Sequence, residues 1–290
     1  MLTQAYAKGQ SLDLIETTIG ERLNRVAAAQ PDHLGLVMPH QNIRWSYGEF
    51  LTAVNKFATG LLALGITTGD RVAIWSPNRY EWVITQFATA KIGAIMVCIN
   101  PAYRLYELEY ALNKVGCKAI VSAESFKTSH YLEMLQTLAP ELAHCPAGAL
   151  TAEKLPQLKH VIRMGDAASP GMHNFTAISQ LGADSEYSTL AQIESQLDPN
   201  DAINIQFTSG TTGSPKGATL THRNILNNAY FVGRNMRLTA ADKLCIPVPL
   251  YHCFGMVMGT LCCISHGATM VLPCEAFDPE PVLQAVQDEH

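Results

Sequence analysis

The chain has eight cysteines but no C-x-x-C pair, and no cysteine is spaced with a histidine as metal ligands are. A zinc site is therefore not predicted. Adjacent Cys262 and Cys263 lie in an apolar run, as buried free thiols do, which is typical of a reducing compartment. Charged residues are scarce at 16%, and no basic stretch is interleaved with aromatic residues, so nucleic acid is not an expected partner.

Long hydrophobic runs are also missing. The longest uninterrupted apolar run, residues 253–264, has twelve residues, fewer than a bilayer core of about 30 Å requires. This run predicts a buried helix and no transmembrane segment. The first eight residues lack a basic region followed by an apolar core, so no signal peptide is evident and a cytoplasmic location is predicted.

What the chain does have is the composition of a globular protein. It contains 290 residues, of which 48% are hydrophobic, and its formal net charge is −5. This length suffices for one large domain or two ordinary domains with substantial cores.

The most informative segment is Phe207–Gly217, with the sequence FTSGTTGSPKG, which follows an apolar run. Glycines allow a backbone to fold closely around a ligand, and consecutive inward N–H groups form an anion nest. Five hydroxyl side chains add hydrogen-bond donors, and Lys216 adds a mobile positive charge. The pattern favours a polyphosphate-binding loop. The alternative is a flexible linker, which would have no use for a lysine between proline and glycine.

This segment is not the common P-loop, which needs glycine before its lysine and a hydroxyl residue after it. Pro215 and Gly217 occupy those positions. The segment instead resembles the phosphate loop of the adenylate-forming superfamily, which includes acyl-CoA synthetases, luciferases, aryl-CoA ligases and adenylation domains of peptide synthetases. It matches the T-S-G-T-T-G-x-P-K-G motif of that superfamily at every defined position.

Strand and helix patterns alternate along most of the chain. Unalternating apolar strands such as residues 94–99 predict an α/β fold with parallel sheets covered on both faces. A short hairpin is predicted at residues 34–45, followed by a capping box at Ser46 and Glu49. Hydrophobic spacing also predicts helices over residues 12–30, 79–92, 104–115, 124–138, 188–196, 222–235, 253–265 and 278–290.

A second motif, Pro249-Leu250-Tyr251-His252-Cys253-Phe254-Gly255, follows a predicted strand. A histidine alone at such a place is more often structural than functional. The segment is similar, however, to the P-L-[FY]-H-x-x-G motif that the same superfamily carries at this distance after its phosphate loop. The resemblance implies that His252 lies between the nucleotide and the acyl pocket.

Further similarity covers residues 10 to 290, and the Asn100–Arg104 segment resembles fatty-acyl-CoA ligases most closely. The resemblance implies two packed parallel-sheet subdomains of an acyl-CoA synthetase N-terminal domain. Residues 66–236 would form one subdomain with the phosphate loop, and residues 9–65 with 237–290 an incomplete second one. The active site would lie in the crevice between them.

The activity implied by the resemblance is ATP-dependent activation of a fatty acid to an acyl-adenylate, followed by transfer to coenzyme A. ATP, Mg²⁺ and coenzyme A are the implied cofactors, and a homo-oligomer is a possible assembly. Lys216 and His252 are the implied catalytic residues, and Thr208 would face Mg²⁺. The implied nucleotide-binding residues are Thr208, Ser209, Gly210, Thr211, Thr212, Gly213, Ser214, Pro215, Lys216 and Gly217. The implied substrate-binding residues are Tyr251, His252, Gly255 and Met256. Gly255, Met256 and Met258 fit an aliphatic pocket and plain core packing equally well.

The sequence departs from the superfamily pattern at its end. It stops at His290 inside a predicted helix, whereas members continue into an adenine-binding segment and a mobile C-terminal lid. A truncated chain without a lid, inactive alone, is therefore expected. The alternatives are an aryl-acid ligase, an acyl-AMP ligase or a non-catalytic nucleotide-binding product.

Overall fold

A computed structural model describes residues 12–208 and 215–290, in which strands from distant parts of the chain form two sheets. The larger sheet has seven strands in the order β7-β6-β5-β3-β4-β8-β9, and the smaller has four in the order β10-β11-β1-β2. The strands are β1 Leu34–Met38, β2 Ile43–Ser46, β3 Arg71–Trp75, β4 Ile95–Cys98, β5 Cys117–Ser122, β6 His160–Arg163, β7 His173–Asn174, β8 Ala202–Thr208, β9 Lys216–Thr221, β10 Lys243–Cys245 and β11 Thr269–Val271.

Helices connect these strands as the alternating pattern predicts. They are α1 Ile19–Ala29, α2 Tyr47–Ala63, α3 Tyr80–Lys91, α4 Leu105–Val115, α5 Tyr131–Leu138, α6 Phe175–Ile178, α7 Asp184–Gln196, α8 His222–Met236, α9 Cys253–Gly255, α10 Cys262–His266 and α11 Pro279–Glu289. A π-helical stretch, Met256–Leu261, joins α9 to α10 in one continuous rod. The predicted α/β architecture with parallel-sheet subdomains is thus confirmed.

Two strand pairs are antiparallel. The β1–β2 pair is the predicted hairpin, and the capping box that starts α2 is present at Ser46 and Glu49. The β8–β9 pair was not predicted to be antiparallel. It pairs the described ends of the Phe207–Gly217 segment, Phe207 with Gly217 and Thr208 with Lys216, as a β-hairpin at the edge of the larger sheet. The remaining pairs in both sheets are parallel.

Two predicted helices begin later than their periodicity indicates. The helix predicted from residue 12 begins at Ile19, where the Thr18 hydroxyl accepts the Glu21 amide as an N-cap. The helix predicted from residue 124 begins at Tyr131. A tight turn precedes it, in which Phe126 and Ser129 exchange backbone hydrogen bonds.

Helix α3 lies at the centre of the molecule, and every residue after Tyr80 in it is buried. Three of its polar side chains, those of Glu81, Gln86 and Lys91, have partners outside the helix. The Lys91 ammonium, for example, lies 2.7 Å from the Glu194 carboxylate of α7.

The strands of the larger sheet all come from residues 71–221, and those of the smaller sheet from residues 34–46 and 243–271. The division into subdomains at residues 66 and 236 stays a prediction. One continuous hydrophobic core includes residues from both sheets, such as Val72 of β3 and Met270 of β11.

Candidate functional site

The β8–β9 hairpin fixes both ends of the predicted phosphate loop. Thr208 pairs directly with Lys216, and the Thr208 hydroxyl donates to the Lys216 carbonyl at 3.4 Å. The Lys216 side chain is exposed. Ser209, Gly210, Thr211, Thr212, Gly213 and Ser214 lie outside the described residues. Pro215 precedes β9, and Gly217 is the second residue of that strand.

This hairpin turn lies at the carboxyl edge of the larger sheet. Strand β8 runs parallel to β4, which runs parallel to β3, so all three strands end on the same side. In open α/β sheets, ligands bind beyond the carboxyl ends of the strands. Thr208 is the last residue of β8, so the hairpin presents its turn where a ligand would bind.

The Tyr251–His252 segment follows β10 and leads into α9. His252 is the N-cap of this helix, and its Nδ1 accepts the Phe254 backbone amide at 3.1 Å. An imidazole nitrogen that accepts a hydrogen bond carries no proton, so in the neutral ring the proton is on Nε2. The exposed His252 ring can therefore donate a hydrogen bond from Nε2 to a ligand.

Asn78 holds this segment in place. It follows β3, is buried, and bonds to the backbone on both sides of Pro249. Its Nδ2 donates to the Val248 carbonyl at 3.0 Å, and its Oδ1 accepts the Leu250 amide at 2.9 Å. Sequence analysis missed the positioning role of the Asn78 side chain.

Tyr251 and His252 line two different cavities, and their rings are 6.4 Å apart and nearly perpendicular. The His252 groove has a volume of about 610 Å³ and is almost entirely apolar. Its lining residues are Leu220, Asn224, Ile225, Asn228, His252, Cys253, Phe254, Val257 and Met258. Helix α8 and the α9–α10 rod thus form the two walls of a groove that begins beside the hairpin strand β9.

The Tyr251 cavity has a volume of about 450 Å³ and lies at the ends of strands from both sheets. Its lining residues are Ser76, Pro77, Asn78, Asn100, Pro101, Ala102, Arg104, Phe126, Lys127, Thr128, Ser129, Pro249, Tyr251, Glu275, Ala276 and Phe277. Three aromatic rings and two cations suit a ligand with phosphate groups and a planar ring.

The two cations of this cavity are fixed by the turn before α5. An Arg104 Nη donates to the Thr128 hydroxyl at 3.2 Å. Lys127 has a φ of 53°, and its ammonium lies 5.3 Å from the centre of the Phe126 ring. Sequence analysis missed Lys127, because an isolated lysine in a predicted helix carries no functional signal.

Gly255 and Met256, which were predicted to bind substrate, line neither cavity. A Cβ atom on Gly255 would lie 2.4 Å from the Pro249 carbonyl oxygen, so glycine is required here by close approach of the backbone. Met256 is fully buried, and its sulfur lies 3.7 Å from the Gln206 amide nitrogen. The sequence fits a pocket role and a core role equally well for Gly255, Met256 and Met258. Of these three residues, only Met258 lines the groove.

The residues that the structure describes contain no group of three or more histidine, cysteine or acidic side chains placed to hold a metal ion. In the same part of the chain, no helix combines the length and apolarity that crossing a bilayer requires.

Comparison with known proteins places this site in a family context. The family model for AMP-binding enzymes matches residues 23–290. The zebrafish protein "Medium-chain acyl-CoA ligase ACSF2, mitochondrial" is 43% identical over 293 residues, covering 99% of this chain and 48% of its own. The "Putative acyl-CoA synthetase YngI" of Bacillus subtilis is 42% identical over 277 residues, covering 96% of this chain and 50% of its own. This chain therefore spans about half the length of the curated relatives it matches.

Two solved structures share the fold. The apo structure of MbtA from Mycobacterium smegmatis superposes with a TM-score of 0.79 at 24% identity, covering 95% of this chain and 47% of that one. The inhibitor-bound N-terminal domain of FACL13 from Mycobacterium tuberculosis gives a TM-score of 0.76 at 24% identity, covering 94% of this chain and 61% of that one.

Proposed function

The chain belongs to the family of AMP-binding enzymes, and from this membership we propose that it is the nucleotide- and acyl-binding part of an ATP-dependent acyl-CoA ligase. The proposed reaction has two steps. A substrate carboxylate attacks the α-phosphorus of ATP and releases pyrophosphate, and the thiol of coenzyme A then displaces AMP from the acyl-adenylate. Because this chain spans about half of its relatives, the complete activity belongs to the proposal.

The first step needs positioning and charge neutralisation more than it needs a protein base. Carboxylic acids with pKa values near 4 to 5 are already ionised at neutral pH. What must be stabilised is the negative charge on the phosphates that leave. We assign this role to the hairpin turn between Thr208 and Lys216, with the exposed Lys216 ammonium as its positive charge.

Mg²⁺ would enter with the nucleotide. This ion is usually held by few protein oxygens together with substrate phosphates and water. The Thr208 hydroxyl fits such a role, because among the described residues it only donates one long hydrogen bond, at 3.4 Å, and its oxygen accepts none. When bound, Mg²⁺ would neutralise phosphate charge, with Thr208 as the protein oxygen that would hold it.

The acyl chain is assigned to the His252 groove. Its apolar lining from α8 and the α9–α10 rod suits an aliphatic chain. His252 at the groove mouth would donate from Nε2 to the carboxylate or the adenylate. The vertebrate relatives are named medium-chain acyl-CoA ligases, so a medium-chain fatty acid is the proposed substrate.

The observation that carries this proposal is the position of Tyr251 and His252 between two cavities, close to the strand that bears Lys216. The apolar groove would take the acid, and the Tyr251 cavity, with Arg104 and Lys127, would take phosphates of ATP or coenzyme A. A cytoplasmic location stays a prediction, since the names of the vertebrate relatives say mitochondrial.

An acyl-adenylate mimic with a non-hydrolysable sulfamoyl linkage provides the test. Calorimetric titration into the chain should give tight binding for an octanoyl mimic and much weaker binding for adenosine with no acyl group. His252→Ala should weaken binding of the mimic, whereas His130→Ala, at an exposed histidine outside the groove, should not. Equal affinity for the mimic and for adenosine would remove the groove from the proposal.

A further inference from the structure

A third cavity, of about 570 Å³, lies at the opposite end of α8 from the His252 groove. Its lining residues are Arg22, Tyr230, Arg234, Arg237, Leu238, Thr239, Ser265 and His266, and we call it the arginine groove. The two grooves share no lining residue, and Arg237 lies nine residues beyond Asn228, the last α8 residue of the His252 groove, which is about 14 Å at 1.5 Å per residue. The arginine groove is therefore distinct from the proposed active site.

Unpaired arginines are concentrated in this groove. The chain has ten arginines, all within the described residues, and five form an ion pair with a carboxylate within 4.0 Å. Of the other five, Arg22, Arg234 and Arg237 line this one groove. Residues 1–11 and 209–214 contain no aspartate or glutamate, so they supply no side-chain carboxylate to pair with these arginines.

Arg22 is the most enclosed of the three. One of its Nη atoms donates to the Ser265 carbonyl, while its Nε is buried and has no hydrogen-bond partner among the described residues. Burial lowers the pKa of the guanidinium, and the nearby charge of Arg25 lowers it further. A desolvated cation without a counter-ion is costly, and an anion in the groove would offset that cost.

Two helix C-termini offset only part of the positive charge of the arginines. The C-terminus of α8 and the C-terminus of the α9–α10 rod both lie at the groove, and each contributes roughly half a negative charge. The three guanidinium groups carry three positive charges, and the two helix ends together carry about one negative charge. The groove therefore keeps an excess of about two positive charges. No acidic side chain lines the groove in the described structure.

The walls of the groove are held by His266 and Tyr230. Their rings stack at 5.3 Å with an interplanar angle of 5°, and the His266 Nε2 lies 3.0 Å from the Tyr230 carbonyl oxygen. This pair ties α10 to α8 and fixes the spacing of Arg22 relative to Arg234. The cations are thus presented by two segments, α1 and the C-terminal end of α8, which α10 holds together.

We propose that the arginine groove binds a phosphate group, with Arg22, Arg234 and Arg237 as its ligands. The excess of about two positive charges matches a phosphate dianion, and guanidinium groups bind phosphate through paired N–H donors. The phosphate can belong to a small molecule or to the headgroup of a lipid, since both present the same oxygens. This site does not depend on the proposed ligase activity.

Inorganic phosphate titrated calorimetrically into the chain is the first arm of the test. A Lys216→Ala/Arg104→Gln/Lys127→Gln background removes the cations of the hairpin and of the Tyr251 cavity, so phosphate binding there reports on the arginine groove. The double variant Arg234→Gln/Arg237→Gln should lower the phosphate affinity at least tenfold. Both side chains are exposed, so the fold should be kept, which thermal melting checks.

The control is Arg44→Gln, which removes an exposed arginine of β2 that is paired with Glu289 and lies outside the arginine groove. It should leave the phosphate affinity unchanged. Arg234→Lys/Arg237→Lys should retain part of the affinity, because lysine keeps the charge but not the paired donors.

Sedimentation with vesicles is the second arm and identifies the source of the phosphate. Binding to phosphatidylcholine vesicles only when they contain phosphatidic acid, and its loss in the glutamine double variant, would assign the groove to a lipid headgroup. Binding of free phosphate alone would assign it to a small molecule. Absence of binding in both arms, or equal binding by the chain and the double variant, would overturn the proposal.

Discussion

The buried Asn78 side chain bonds to the Leu250 amide at 2.9 Å, although 172 residues separate the two in sequence. Asn78 follows β3 of the larger sheet, and Leu250 immediately precedes the Tyr251–His252 pair. A single amide side chain therefore connects one sheet to the segment that lies between the two cavities.

Asn78→Ala should destabilise the protein and loosen this segment. The Leu250 amide and the Val248 carbonyl would lose their partner, and leaving such groups unpaired in a buried place costs about 1–3 kcal/mol each. Urea unfolding should show the loss in the free energy of unfolding. Asn200→Ala, at an exposed asparagine, is the control and should change it by less than about 0.5 kcal/mol.

Met258→Trp should shorten the acyl chain that the His252 groove accepts. Met258 lines the groove, and a larger ring there would exclude the distal methylenes of a long chain, each worth about 0.8 kcal/mol when buried. The ratio of affinities for octanoyl and dodecanoyl adenylate mimics measures this change. Leu283→Trp, on the exposed face of α11, should leave the ratio as it is in the unmodified chain.

The stability of the fold should fall as the pH is lowered from about 6.5 to about 4. Burial lowers the pKa of His222 to about 4, and its Nδ1 accepts the Ile19 amide as a neutral ring. In the unfolded chain this histidine has a pKa near 6.5 and binds a proton below that pH. Protonation therefore favours the unfolded state as the pH falls, and the loss of stability is complete near the folded pKa of about 4. Each pKa unit corresponds to about 1.4 kcal/mol, so this histidine alone can contribute about 3 kcal/mol.

His222→Asn should flatten this pH dependence. The asparagine Oδ1 can still accept the Ile19 amide, but it does not titrate. Denaturant unfolding at pH 7 and pH 4.5 measures the difference for each variant. His130→Asn, at an exposed position, should keep the full pH dependence, and a His222→Asn variant that is as acid-sensitive as the unmodified chain would refute this account.

Local sequence signals predicted most of the fold, because strand runs, helix periodicity and caps act over a few residues. The Ser46–Glu49 capping box is one such signal, and it is present in the structure. The start of α1 was missed for a non-local reason. Ile15 fits the helical spacing, but its backbone N–H and C=O both bond to the Asn227 side chain, 212 residues away.

The candidate site was predictable only in part. Resemblance brought out Lys216 and His252, since both lie in contiguous motifs. It did not separate Met256 from Met258, because the direction of each side chain depends on how the α9–α10 rod packs on α8. Arg22 and Arg234 meet only through tertiary packing, and no sequence pattern connects them.

Calorimetric titration of ATP with Mg²⁺ into the chain tests the central claim, that the Thr208–Lys216 hairpin binds the phosphates of a nucleotide. Losing one charged hydrogen-bond donor costs about 1.5–3 kcal/mol, so Lys216→Ala should weaken ATP binding roughly ten- to a hundredfold. Lys154→Ala, at another exposed lysine, should bind ATP like the unmodified chain. Equal ATP affinity for the Lys216→Ala variant and the unmodified chain would contradict the claim.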